Sequence, residues 1–233
     1  MIDNLTTAPD PVFRVWNNRL KTELEAAHLF SQMARDLTLL RGANDEIAKM
    51  SQAASDDEKR HAGLCQEILR FNRAPLEPLN PVYHSQLGPL TKIQDRLLYA
   101  CVAVGCVTET LSTALLIEMR KRAAPGIIRR TIEEILVDEI DHSRIGWAEL
   151  ARASRTENIS WLSQFIPAMI NEALQADVRP IVSQSQNDFS QWGILPATDA
   201  KEIMAQTIHE VIAPGLKEYG IHFSFPARTS ISS

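Results

Sequence analysis

Residues 57–61 read Asp57-Glu58-Lys59-Arg60-His61, and residues 138–142 read Asp138-Glu139-Ile140-Asp141-His142. Both stretches set a Glu and a His three apart, which on a helix puts the two side chains on one face, about 5–6 Å from each other. Each pair is in phase with an apolar stripe. Around the first pair the stripe runs Ile47, Met50, Ala54, Glu58, His61, Cys65, Ile68; around the second it runs Ile128, Ile132, Ile135, Glu139, His142, Gly146, Leu150. A third stripe, Trp16, Leu20, Glu23, Ala27, Phe30, Ala34, Leu37, carries a lone glutamate. Glu25 lies about 200° around that helix from Glu23, so only Glu23 points inward. A fourth stretch, Leu97 to Ile117, holds a single charge in 21 residues, Glu109.

These stretches predict helices. Helix one runs from about Pro11 to Leu40 and stops at Gly42; helix two starts at the Asn44 or Asp45 cap and fades near Phe71. Pro75, Pro78, Pro81, Gly88 and Pro89 make Asn72 to Leu90 a long irregular connection. Helix three follows a Thr91 cap and ends before Ala124-Pro125-Gly126; helix four continues to about Ser154. Two short links and one long crossover between helices two and three give an all-α four-helix bundle over residues 11–154. Residues 155–225 read as a helical extension packed on that bundle. Its fifth helix spans Ile159 to Val178 with a bend at Pro167, and its sixth spans Asp199 to Tyr219 with an interruption near Pro214. Ser183 to Gly193 is loop-like between them, and the tail from Pro226 should fray.

Composition narrows the function classes. The 233 residues are 45% hydrophobic and 23% charged, with a net charge of −5 and no basic block, so no nucleic-acid partner is expected. Three cysteines, Cys65, Cys101 and Cys106, form no CxxC and exclude a four-cysteine metal site. Leu97 to Ile117 is long enough to span a membrane, yet Glu109 at its middle favours a buried central helix, and no membrane association is expected. The Met1-to-Leu5 start has neither the basic nor the apolar part of a signal peptide, which predicts a cytoplasmic protein.

The chemistry lies in the inward set. Glu23, Glu58, Glu109 and Glu139 with His61 and His142 offer oxygen and nitrogen donors that suit iron or manganese. Four carboxylates can neutralise two divalent ions, whereas burying them without metal is costly. Asp57 and Asp138 each precede a ligand Glu, where a carboxylate can accept the second N–H of an imidazole on the facing helix. Arg60 and Asp141 read as solvated charges, and His28 and His84 as ordinary residues.

From Trp16 to about Ala153 the sequence resembles the ferritin-like di-iron carboxylate superfamily, with Glu23, Glu58, His61, Glu109, Glu139 and His142 at the positions of its six ligands. Within it, Glu23-Leu24-Glu25-Ala26 and the run Val137-Asp138-Glu139 through His142, Gly146, Ala148 and Leu150 are most similar to cyanobacterial aldehyde-deformylating oxygenases, which turn fatty aldehydes into alkanes with oxygen and external electrons. Phe30 stands where ferritins and rubrerythrins often carry tyrosine, rubredoxin-type cysteine pairs are absent, and Ile135 replaces the third histidine of the N-oxygenases. Thr113, one turn after Glu109, is similar to the threonine beside the site of multicomponent hydroxylases; bonding to its own backbone serves equally.

The resemblance implies two iron ions, or one manganese and one iron, with dioxygen as co-substrate. It also implies an external electron donor of the ferredoxin or reductase type. The leading expectation is an oxygenase or oxidase of a small or apolar organic substrate, a monomer or small homo-oligomer. Phe30, Val102, Cys106 and Leu116 are the candidate channel residues. The alternative is a ferroxidase or iron-storage protein, and a bundle with a vestigial site is a third reading.

Overall fold

A computed structural model describes residues 8–71, 90–175 and 188–225. The connection over 72–89 with His84, the first seven residues, the stretch over 176–187 and the tail from 226 lie outside the described residues. Among those described, every regular element is a helix.

Helix α1 spans Asp10–Arg41 and ends where Gly42 takes φ 91°, returning its N–H to the Thr38 carbonyl at 2.8 Å. That positive φ is what Gly supplies at a helix end. Asp45 then caps α2 (Glu46–Phe71), its Oδ1 accepting the Ala48 N–H at 2.9 Å. Helix α3 runs Ile93–Arg122 and α4 runs Ile127–Ala153. Lys92, and not Thr91, occupies the start of α3, with no side-chain cap. The most apolar window of α3 is 61% buried among its neighbours, as a central helix requires.

Helix α1 packs along α2, α3 along α4, α2 against α4 and α1 against α3. The inward stripes hold, with one exchange: Met50 is exposed, and Ser51 is buried in its place with its hydroxyl donating to the Ile47 carbonyl at 2.8 Å. The Ser55 hydroxyl donates to the Ala27 carbonyl at 2.8 Å, which ties α2 to α1 near the polar centre.

Helix α3 is not uniformly α. Val102–Thr108 is a π segment, in which the Thr108 hydroxyl donates to the Ala103 carbonyl at 3.0 Å and the Glu109 N–H to the Val104 carbonyl. Such segments are rare and occur mostly where function demands them. Here the widened turn lies against α4, where Gly105 meets Gly146. A Cβ on Gly146 would sit 2.4 Å from the Cys101 carbonyl oxygen and 2.6 Å from the Cys106 nitrogen. Two helices come into backbone contact there because neither carries a side chain.

The C-terminal segment shares the core. A turn at Ser160–Gln164 leads into α5 (Ile166–Ala173), which packs on the π segment. Pro167 does not bend this helix but begins it, in the first turn, where a missing N–H costs nothing. Helix α6 (Ala197–Thr207) passes through a π turn, Ile208–Ile212, into Ala213–Lys217. The π turn falls just before Pro214, which has no N–H to return. Leu162, Ile166, Ile170, Met204 and Ile208 join Leu20, Leu69, Leu116 and Ile132 in one apolar cluster. A second cluster contains Phe30, Met33, Leu37, Ile47, Cys101 and Ile145. The inward acids lie between the two.

Candidate metal centre

Each of the first four helices delivers its polar side chains to one layer. Glu23 comes from α1, Glu58 and His61 from α2, Glu109 from α3, and Glu139 and His142 from α4; none is more than 4% exposed. Their donor atoms form two groups, each with its atoms within 4.8 Å of one another. One holds Glu23, Glu58, His61 and Glu139; the other holds Glu58, Glu109, Glu139 and His142. Glu58 and Glu139 belong to both.

Both imidazoles turn Nδ1 inward. His61 Nδ1 lies 3.3 Å from Glu58 Oε2 and 3.6 Å from Glu23 Oε2, while His142 Nδ1 lies 2.9 Å from Glu58 Oε1 and 3.4 Å from Glu139 Oε2. Nε2 faces the neighbouring helix in each case: His61 to Asp138 Oδ2 at 3.0 Å, His142 to Asp57 Oδ2 at 3.5 Å. Arg60 joins this outer layer, bonding Asp57 at 3.0 Å and also Asp138. The sequence reading of Arg60 as a solvated charge is therefore corrected. Asp141 is exposed, paired with Arg144, and His28 is exposed. Arg19, one turn before Glu23, was also missed: its Nε donates to Glu23 Oε1 at 2.8 Å and its Nη2 lies 4.0 Å from Glu139 Oε1.

The arrangement fits divalent cations. Glu58 Oε1, Glu139 Oε2 and His142 Nδ1 are buried and make no hydrogen bond, although two of them are only 2.9 Å apart. Proximity without alignment means that these atoms aim at a common point and not at each other. Orphaned polar atoms of this kind are rare in a native core and need a cause. Oxygen and imidazole donors at that point are a ligand set for iron, manganese or zinc.

Without metal the layer is held by protons. Burial and the charges of Glu139 and Glu23 push Glu58 up to about 8, and burial with the neighbouring Glu139 raises Glu109 well above the carboxylate range. Burial opposes the charged form of both histidines, but Glu23 and Glu58 push His61 up to about 11, and Glu139 and Glu58 push His142 up to about 10. Burial would raise Glu23 too, yet the Arg19 guanidinium and His61 hold it down at about 2.

The signs follow. The histidine pairs stabilise the metal-free fold fully below about pH 6.5 and lose that effect as pH rises through 10 to 11. Glu23 stabilises above its ordinary value of 4.5 and fails only as pH falls through about 2. Ligation, in contrast, needs deprotonated donors. Metal uptake at pH 7 should therefore release protons, up to about four, from Glu58, Glu109, His61 and His142, and apparent affinity should rise with pH. Calorimetric titrations in buffers of different ionisation enthalpy measure the release; uptake without proton release would contradict this protonation pattern.

A cleft of about 730 Å³ opens onto this layer. Val15, Arg19 and Thr22 form one wall and Thr108, Ser112 and Leu115 the other, with Glu23, Glu58, Glu109 and Glu139 at the floor. The candidate channel residues are elsewhere: Phe30, Val102, Cys106 and Leu116 are fully buried and line none of it. Phe30 packs on the His142 ring at 5.4 Å. Thr113 does not line the cleft either; its buried hydroxyl has no hydrogen-bond partner. The fold and the cluster together define an all-helical protein with buried Glu and His groups that could hold a metal ion. No family model matches the chain, and neither does any curated protein or solved structure in the comparisons made.

Proposed function

We propose that the chain is a ferritin-like four-helix bundle holding two iron ions, or one manganese and one iron, and that it activates dioxygen to oxidise a small or apolar organic substrate. The observation that carries this reading is the cleft, because its floor is formed by four of the six donor residues. Glu58 and Glu139, shared by both donor groups, suit bridging positions; Glu23 with His61 and Glu109 with His142 complete the two halves. When bound, two ferrous ions supply electrons and open coordination positions for reducing dioxygen.

The chain's own residues do the rest. Asp138 and Asp57 accept the Nε2–H of His61 and His142, which keeps Nδ1 as the lone-pair donor toward the centre. Val15, Leu115 and Met119 keep part of the cleft dry beside the acids. A further turnover needs electrons from an external donor of the ferredoxin or reductase class. The alternative, a ferroxidase that stores iron, shares the donor set, but an iron ion has no use for an apolar cleft. Gel filtration separates them: a storage cage elutes very large, while the proposed cytoplasmic oxygenase elutes as a monomer or small oligomer.

Anaerobic iron loading, then oxygen exposure with spectroscopy and product analysis on aldehydes and acids, tests the reading. About two iron ions per chain are expected; one tightly held zinc would overturn it. Two neighbouring variants sharpen the test. Glu23→Ala should lower oxygen consumption by orders of magnitude and loosen the metal. Glu25→Ala, on another face of α1, should keep both ions and change stability by about 0.5 kcal/mol or less. If the Glu25 variant loses the metal and the Glu23 variant keeps it, Glu23 is no ligand.

A further inference from the structure

Arg19 changes what the cleft can hold. Its side chain is 18% exposed, it lines the cleft wall, and it is the cation nearest to Glu23 and Glu139. In the metal-free chain it offsets part of the charge of those acids. With two divalent ions in place, which is the reading this inference rests on, the four carboxylates are already neutralised and the ligand imidazoles are uncharged. The guanidinium then remains as an excess positive charge beside a neutral centre, in a wall otherwise made of uncharged side chains. A partly buried charge in that position favours an anion from the cleft, and a planar guanidinium matches a carboxylate better than any other small anionic group except phosphate.

The rest of the cleft decides between those two. Val15, Trp16, Leu115 and Met119 line the end away from the acids. No second cation lines it to share the larger charge of a phosphate. From Glu23 to Val15 is about 12 Å along α1, enough for a short hydrocarbon body. We propose that the cleft takes a small organic carboxylate, its head on Arg19 and its apolar body along Val15, Leu115 and Met119. The head end, and not the far end of the body, then lies beside the donor layer.

Calorimetry with octanoate and with 1-octanol on the manganese-loaded protein tests this, with metal counted in every sample. Octanoate should bind at least about tenfold more tightly than the alcohol, the worth of a charge-assisted hydrogen bond. Arg19→Gln should remove that preference while Arg19→Lys keeps part of it. Equal binding of acid and alcohol, or an undiminished preference in Arg19→Gln, overturns the proposal. If this happens with about two manganese ions still bound, the dinuclear reading survives. A wild-type chain that holds no manganese overturns both, and the metal count tells these failures apart.

Discussion

Replacing Glu139 with Ala is expected to empty both halves of the centre together. Its carboxylate belongs to both donor groups, as does that of Glu58. Glu23 belongs to one alone. Outer-layer partners of ligands typically cost 10–100-fold in metal affinity when removed, so losing a shared ligand should cost more than about 100-fold at each ion. Glu58→Ala should behave in the same way, whereas Glu23→Ala should keep one ion. Metal analysis after dialysis reads the difference, and melting temperature gives a second reading, since an ion bound only to the folded chain raises it. A Glu139→Ala protein that still holds one ion as tightly as wild type would remove the shared-ligand arrangement.

The second large effect should come from a residue with no polar atoms in its side chain. Gly146→Ala places a methyl group 2.4 Å from the Cys101 carbonyl oxygen and 2.6 Å from the Cys106 nitrogen, both backbone atoms. Nothing there can swing aside, so α3 and α4 must separate. Overpacking a core costs about 1–3 kcal/mol when side chains can adjust; here the loss should reach or exceed about 3 kcal/mol, a drop of roughly 6–12 °C in melting temperature for a chain of this size. The same shift moves Glu139 and His142 away from Glu109, so metal affinity should fall as well. Gly63 in α2 supplies the control, because a Cβ there meets nothing within 4 Å. Gly63→Ala should stabilise by about 0.5–1 kcal/mol through helix propensity. Equal melting of the Gly146→Ala protein and wild type would show that the helices do not need this contact.

The sequence is most readable where the helix is most regular. Along α1, α2 and α4 a straight wheel finds Glu23, Glu58, His61, Glu139 and His142, because every turn there is α and the apolar stripe keeps its phase. Helix α3 breaks that premise. Its π segment rotates whatever follows Thr108 relative to what precedes it, so no single wheel gives a face for the whole helix. Val102, Cys106 and Leu116 were grouped with Glu109 on such a wheel, but the cleft takes Thr108, Ser112, Leu115 and Met119 instead. A long run of apolar residues with Gly105 inside it gives no periodic signal from which to find a π turn. The arginines were missed for another reason. Arg60 and Arg19 are charged groups at the edge of a stripe, and their roles depend on the partner helix. Arg19 did leave a trace, four residues before an inward glutamate, the spacing of a helical ion pair. Pro167 shows a similar limit: a proline inside an apolar run fits a bend or a helix start, and only the preceding Ser160–Gln164 turn distinguishes them.

The division of the apolar core into two clusters, with the acids between, has a consequence for how the molecule coheres. Most proteins of this size spread their cohesion through one continuous interior, so that loosening one end is felt at the other. Here the middle layer contributes little hydrophobic attraction, and like charges oppose it unless protons or cations intervene. The two ends are cooperative units joined by helices and by whatever neutralises that layer. Cation supply thus governs more than reactivity. It sets whether the chain behaves as one thermodynamic body or as two loosely coupled ones, and a cell short of metal would hold a protein that is looser as well as inactive.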